Sequence, residues 1–303
     1  MATHPDPWRA IDRQPDPARY VRMMESRGQT PTQARLRRRF LRFCGIAPGW
    51  RVVEVGAGSG VVARDLARMV GPRGHVVGVD RSRVLLAAAR RRAREEGLGA
   101  RLEFRRGDAT ALPLGSGRFD CALAVTVLLH VARPLAMLHE LVRVTRPGGV
   151  VALQDQDFGT QVLDHPDREL TRLIFERVAA RMYPEPFSGR TLVRRLVELG
   201  LERVRLLADV YQVRSLDPFT HSLLGRRADA AVRFGLIGAA RASRWIAEIE
   251  RADAAGHFVF TFNYYGAAGV KPRAVSTSPA RVAGVRQAGA RARGRRGGLS
   301  GAR

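Results

Sequence analysis

The residues of this chain best suited to chemistry form one short run, Val52-Val53-Glu54-Val55-Gly56-Ala57-Gly58-Ser59-Gly60. Its apolar first half reads as a buried strand. Glycine at alternate positions directly after it tolerates positive φ and lets a ligand approach where a Cβ would otherwise stand. A helix starting immediately beyond offers unpaired amides to a small anionic or zwitterionic group. A dinucleotide fingerprint would need its third glycine one position later, where the chain has Val61, so pyrophosphate recognition by a nicotinamide oxidoreductase is disfavoured. Asp80 closes the next apolar run, Val76-Val77-Gly78-Val79-Asp80. Its two oxygens match the two donors of a ribose diol, which favours an adenosine ligand. Gly107-Asp108-Ala109 follows a third run and sets a carboxylate within reach of the adenine exocyclic amine. The plainer alternatives are that Asp108 caps a turn and Asp80 caps the helix starting near Arg83. Glu54 lies inside an apolar strand, where a carboxylate needs partners, and would orient the glycine turn or a cofactor amine.

Positioning these groups requires strand ends that share one edge of a sheet. Apolar periodicity predicts strands at Arg51 to Val55, His75 to Asp80, Leu102 to Arg106, Phe119 to Val125 and Val150 to Asp155. Helices are expected between them at Val61 to Val70, Arg83 to Glu96 and Pro134 to Thr145, with Pro147-Gly148-Gly149 as a turn. Such alternation implies an α/β, doubly wound, mostly parallel sheet covered by helices on both faces. A basic amphipathic helix at Gln33 to Phe43 precedes it. Beyond Asp155 the pattern predicts helices at Arg168 to Met182, Thr191 to Leu199 and Ala240 to Ala254, and strands near Val204 to Val213 and His257 to Tyr264. The loop with Pro184, Pro186 and Gly189, and the stretch from Asp217 to Gly238, read as a lid or insertion. The expected organisation is a helical lead-in at 1–45, an α/β core at 46–158, a C-terminal half at 159–270 that completes the sheet, and a disordered basic tail at 271–303.

The chain has 303 residues, 45% of them hydrophobic, enough for a large core. No run approaches the ~20 apolar residues of a membrane span, and Met1 to Trp8 lacks a signal-peptide layout, so a cytoplasmic protein without membrane contact is expected. The two cysteines, Cys44 and Cys121, suggest neither disulfide nor metal and read as small core residues. A net charge of +24 would ordinarily point to nucleic acid, but a single lysine, Lys271, among 52 basic residues looks like an arginine bias of the genome. The segment from Lys271 to Arg303 holds nine of those charges and no acidic residue.

These motifs together resemble the class I S-adenosylmethionine-dependent methyltransferases, in particular the group similar to the ubiquinone and menaquinone biosynthesis enzymes. Val53 to Gly60 looks like the family's first motif, with Ala57 where Cys is common. Gly107-Asp108-Ala109, Leu112-Pro113 and Phe119-Asp120 match the adenine loop and fourth strand; Leu129-His130-Val131, Glu140-Leu141-Val142-Arg143 and Arg146-Pro147-Gly148-Gly149 follow in the family's order. The resemblance implies a seven-stranded Rossmann-like sheet and S-adenosyl-L-methionine as cofactor. It implies that Gly56, Gly58 and Gly60 lie against the methionine part, Asp80 holds the ribose, Asp108 with Ala109 frames the adenine, Arg81 flanks it, and Thr126 meets the sulfonium end. Gly269-Val270-Lys271-Pro272 resembles the end of the final strand.

The implied reaction is methyl transfer to a small-molecule acceptor through oxygen, nitrogen or carbon, in which the protein aligns the two reacting atoms and excludes water. Where a base is useful, the candidates are His130 and the pair Asp155 and Asp157, which share a face of an extended chain. His130 is as well suited to fixing the start of a helix, and the two aspartates to capping and solvation or to a cationic substrate. His165, His221, Tyr183, Tyr264 and Tyr265 would line the acceptor pocket or simply pack, with Phe158 and Phe187 as apolar walls. A homodimer that covers the pocket is compatible with the sequence. The rivals are an RNA or DNA methyltransferase, disfavoured because Val125-Thr126-Val127-Leu128 replaces the Asn/Asp-Pro-Pro-aromatic motif of base-amine methylation, and a non-catalytic cofactor-binding protein.

Overall fold

The computed structural model describes residues 6–273; most of the tail expected at 271–303, from residue 274 on, lies outside the described residues. A 3-10 helix, Pro7–Arg13, leads into α1 (Pro17–Gln29), α2 (Pro31–Phe43), β1 (Arg51–Val55), α3 (Val61–Val70), β2 (His75–Asp80), α4 (Arg83–Glu95), β3 (Leu102–Arg106) and β4 (Phe119–Val125). There follow a 3-10 turn at Leu128–His130, α5 (Pro134–Val144), β5 (Thr145–Leu163), α6 (Arg168–Met182), a 3-10 turn at Ser188–Thr191, α7 (Leu192–Glu198), β6 (Glu202–Val213), α8 (Pro218–Arg233), α9 (Ala239–Ala254) and β7 (Phe260–Val270). Local chemistry sets many of the helix starts. Asp16, Thr30, Ser82, Asp167 and Asp217 each accept the amide three residues on, and proline opens α1, α2, α5 and α8.

All seven strands form one sheet in the order β3-β2-β1-β4-β5-β7-β6, parallel except for β7, which runs against both its neighbours. The strand order reverses between β1 and β4, and a crevice at their carboxyl ends is where an open α/β sheet takes its ligand. One face of the sheet packs on α2, α3 and α4 through Phe40, Leu66 and Leu86; the other packs on α5 and α7 through Leu138, Leu141 and Leu192. The buried cysteines Cys44 and Cys121 sit in the first of these cores.

Several elements depart from the sequence-based expectation. β5 does not stop near Asp155 but continues to Leu163, and β7 is displaced from His257–Tyr264 to Phe260–Val270. The Tyr265-Gly266-Ala267-Ala268-Gly269 stretch looks weakly strand-forming, yet a Cβ on Gly266 would meet the Phe40 ring at 2.9 Å and one on Gly269 would meet Leu201 at 2.9 Å. Close packing, not chain reversal, is what those glycines serve. Asp217 to Gly238 is mostly the helix α8, started by Asp217 and Pro218. The long ends of β5, β6 and β7 rise past the sheet and carry a third core on α6, α8 and α9, centred on Ile174, Tyr211, Trp245, Phe260 and Phe262. This cap overhangs the carboxyl edge. Among the described residues, no helix is long and apolar enough to cross a membrane and no acidic, His or Cys cluster could hold a metal.

Candidate active site

A cavity of about 340 Å³ opens at the carboxyl ends of β1, β2, β3 and β4, within the ~300–1,000 Å³ range of small-molecule sites. Gly56, Gly58, Asp80, Arg81, Asp108, Ala109, Thr126 and His130 all line it. Gly56 and Gly58 have φ of 75° and 55°. A Cβ would lie 2.4 Å from Val127 at the first, so packing and conformation both disfavour a side chain there; at the second it would meet the movable Met24 Cε at 2.1 Å, and the positive φ is what favours glycine. The Asp80 carboxylate ties the turn to the next strand: Oδ2 accepts Gly58 N at 2.8 Å and Oδ1 accepts Ser82 N at 2.9 Å. Each oxygen keeps a lone pair for a ligand hydroxyl. Burial raises the pKa of Asp80 against the opposing effect of these amides. Asp108 Oδ1 accepts both Thr110 N at 2.8 Å and Thr110 Oγ1 at 2.7 Å, an Asx turn, and leaves Oδ2 free of any protein donor among the described residues. Thr126 is a β-branched residue at φ 56°, an uncommon conformation costing about 1–3 kcal/mol that places it on the cavity wall.

Glu54, Ala57 and Gly60 stand behind that wall. Gly60 starts α3 at φ 83°, with Phe104 and Ala89 against the place of its missing Cβ. Glu54 is 2% exposed with Oε2 unpartnered, and burial followed by the nearby Asp80 charge raises its pKa well above the carboxylate range. Asp155 and Asp157 are likewise outside the cavity. Asp155 Oδ2 accepts Leu129 N at 2.9 Å and so fixes the 3-10 turn that carries His130, while Asp157 is locked in an ion pair with Arg190 at 2.5 Å and 2.8 Å.

His130 has a partner that sequence spacing could not reveal. Its Nδ1 lies 2.5 Å from Oδ2 of Asp6, a buried carboxylate 124 residues earlier whose Oδ1 accepts Trp8 N. The lead-in also supplies Trp8, Arg9, Ile11, Met24 and Arg27 to the cavity, and α8 supplies Phe219, Leu223 and Arg226. Phe158 and Tyr183 line it; His165, His221, Tyr264, Tyr265 and Phe187 do not. His165 instead faces Glu248 at 3.2 Å, and His221 faces Glu250 at 3.0 Å.

A parallel sheet with this order, an antiparallel β7 and a glycine turn after β1 define the class I methyltransferase fold. The model of a family described as a methyltransferase domain matches residues 52–149. The chain is 33% identical over 219 residues to an uncharacterised 37.1 kDa protein in transposon Tn4556 of Streptomyces fradiae, covering 72% of this chain and 61% of that protein. It is 30% identical over 190 residues to the ubiquinone/menaquinone biosynthesis C-methyltransferase UbiE of Pseudomonas putida, covering 56% of this chain and 72% of that one. A crystal structure of a putative methyltransferase from Bacillus halodurans superposes with a TM-score of 0.55 at 17% identity, over 78% of this chain and 99% of that one. The chain belongs to the class I S-adenosylmethionine-dependent methyltransferases, whose cofactor is S-adenosylmethionine. The cavity's chemistry fits that group: a turn that presents Gly56 and Gly58, which lack a Cβ, to the cavity, and two strand-end carboxylates with acceptor capacity to spare.

Proposed function

We propose that this chain transfers a methyl group from S-adenosylmethionine to a small molecule held beneath the α6, α8 and α9 cap. The observation that carries this reading is a single cavity lined both by Gly56, Asp80 and Asp108 and by Phe158, Tyr183 and Phe219. The cofactor supplies an electrophilic methyl group on a sulfonium, open to in-line displacement by the acceptor. On this reading Gly56 and Gly58 admit the methionine part, Asp80 accepts from the ribose hydroxyls, and Asp108, Ala109 and Arg81 frame the adenine. Glu54, Ala57 and Gly60 shape the turn from behind, and Thr126 holds the sulfonium end. Trp8 and Met24 close the cavity from the lead-in and exclude water.

On the same reading His130, on the cavity wall, takes an acceptor proton where the acceptor has one to lose. With Nδ1 donating to Asp6, a neutral imidazole keeps Nε2 as an acceptor, and the carboxylate stabilises the cation that forms. Asp155 acts through the Leu129 amide as a positioning residue, and Asp157 through Arg190 secures the loop beside it.

Calorimetry with S-adenosylhomocysteine tests the cofactor half of the proposal. Wild-type protein is expected to bind it saturably and to ignore NAD; Asp80→Ala, which removes the ribose acceptor and the Gly58 tie, is expected to bind at least about tenfold more weakly. Equal binding by the variant, or a preference for NAD, would sink it.

A further inference from the structure

Arg227 in α8 is 1% exposed, and none of its three guanidinium nitrogens has a hydrogen-bond partner among the described residues. Its guanidinium lies 4.3 Å from the centroid of Phe158 and 5.3 Å from that of Tyr183, two rings that line the cavity. Stacking on aromatic faces offsets only part of the cost of burying this cation. Other buried arginines of the chain are neutralised. Arg64 pairs with Glu25 and Glu96, both at 2.9 Å, and Arg195 with Glu185 at 2.7 Å. Arg226 lines the cavity beside Arg227 and donates to Ser222 Oγ and Met23 Sδ, with no carboxylate in reach among the described residues. Arg27 approaches from α1, where it donates to Tyr264 Oη at 2.8 Å and lies 5.7 Å from the Phe219 centroid. Asp6 is the carboxylate of this neighbourhood, and it is engaged by His130. The acceptor end of the cavity therefore carries Arg27 and Arg226 on its wall and an unpaired Arg227 outside the lining, stacked on the Phe158 and Tyr183 rings, while the nearby carboxylate of Asp6 is taken by His130.

We propose, on the methyl-transfer reading above, that the acceptor is an anion: an aromatic or apolar body carrying a carboxylate or another compact oxyanion, received by Arg226 on the cavity wall against Phe158 and Tyr183, with the unpaired charge of Arg227 stacked on those two rings. A guanidinium fork matches an oxyanion through paired hydrogen bonds, and an aromatic wall holds the rest of such a molecule. The anion supplies the missing counter-charge across the rings, so Arg227 acts as a positioning residue whose burial cost is offset when ligand arrives. The competing claimant is the cofactor's own carboxylate, and the experiment separates the two.

Benzoate, phenyl phosphate and neutral benzamide are titrated calorimetrically into the full chain saturated with S-adenosylhomocysteine, for wild type, Arg227→Met, Arg227→Lys and Arg226→Gln. At least one anion is expected to bind wild type about tenfold or more tightly than benzamide, and Arg227→Met to lose that preference. Arg227→Lys should recover part of it, and Arg226→Gln should weaken the same anion at a less buried position. S-adenosylhomocysteine affinity should stay within about twofold throughout. Arg227→Met should melt no lower than wild type, because an apolar chain removes the unpaired charge. Benzoate favoured over phenyl phosphate identifies a carboxylate, and the reverse a phosphate ester. Equal binding of benzamide, no binding of either anion, or a parallel loss of S-adenosylhomocysteine in the Arg227 variants overturns the proposal. A wild type that binds no S-adenosylhomocysteine fails the underlying reading instead.

Discussion

Burial in the β5 ladder pushes the Asp155 carboxyl from an ordinary 3.8 up to about 6, outweighing the two amides, of Leu129 and Gln156, that favour its charged form. The proton is thus held more tightly by the folded protein than by the unfolded chain. Stability from this group is greatest below about pH 4 and falls as pH rises through about 6. Asp155→Asn does not titrate there. Urea unfolding of both proteins should show the wild type losing ground to the variant across that window, by about 3 kcal/mol in all, and then a constant difference. A difference that does not change with pH would mean the carboxyl is already ionised in the folded state. The same residue marks a limit of reading sequence. Asp155 and Asp157 share a face of an extended chain, as period-two reasoning requires, but that reasoning cannot say whether the face meets a cavity or the 3-10 turn and Arg190. His130 could be read from its place after β4; its partner Asp6 could not, because a contact spanning 124 positions leaves no local pattern.

At the level of elements, Asp12 ties the first 3-10 helix to the start of α4. Asp12 Oδ1 accepts Ser82 Oγ at 2.5 Å and Oδ2 accepts Arg83 N at 2.8 Å, so a residue of the first 3-10 helix caps the start of α4. The hydrogen bonds hold its pKa below the usual carboxylate value in spite of partial burial. Asp12→Ala should cost about 1 kcal/mol, the usual worth of a cap, and should speed amide exchange in residues 8–13 before that of α4, whose own cap Ser82 remains. Exchange that rises equally in both elements would show that the clasp supports α4 rather than the lead-in. The α4 pattern was legible in the sequence, as were β1 to β4, α3 and α5, because short β-branched runs and single-faced helices repeat cleanly there; the α4 cap was not, since Ser82 and not Asp80 accepts the Leu85 amide. The lead-in helices before α2 were not, since Trp8, Ile11, Val21 and Met24 face a cavity and one another instead of forming a long apolar stripe. Helix α8 was missed for a similar reason: Gly225, Arg226 and Arg227 interrupt its apolar face at the point where it meets the aromatic end of the cavity.

The whole molecule divides its burial among cores with different duties. The two sheet cores hold the strands that lead into Gly56, Asp80 and Asp108, while the cap core of Trp245, Tyr211 and Phe260 includes Leu223 and Phe219, which line the aromatic end of the cavity. Trp245 is fully buried, stacks edge-on to Phe175 with centroids 6.1 Å apart, and donates Nε1 to Thr171 Oγ1 at 3.0 Å. Trp245→Ala should cost about 3–5 kcal/mol, combining lost transfer energy with a cavity and an abandoned hydroxyl partner. If the cap is an independent opening unit, exchange will accelerate in α6, α8 and α9 first, and S-adenosylhomocysteine will still bind and still raise the melting temperature of what remains. The cofactor edge would then survive a damaged cap because its carboxylates and glycines are anchored in β1, β2 and β3. A variant that loses S-adenosylhomocysteine binding in proportion to the cap's protection would instead make the cap part of the cofactor site, with Leu223 and Phe219 as the contacts through which it acts.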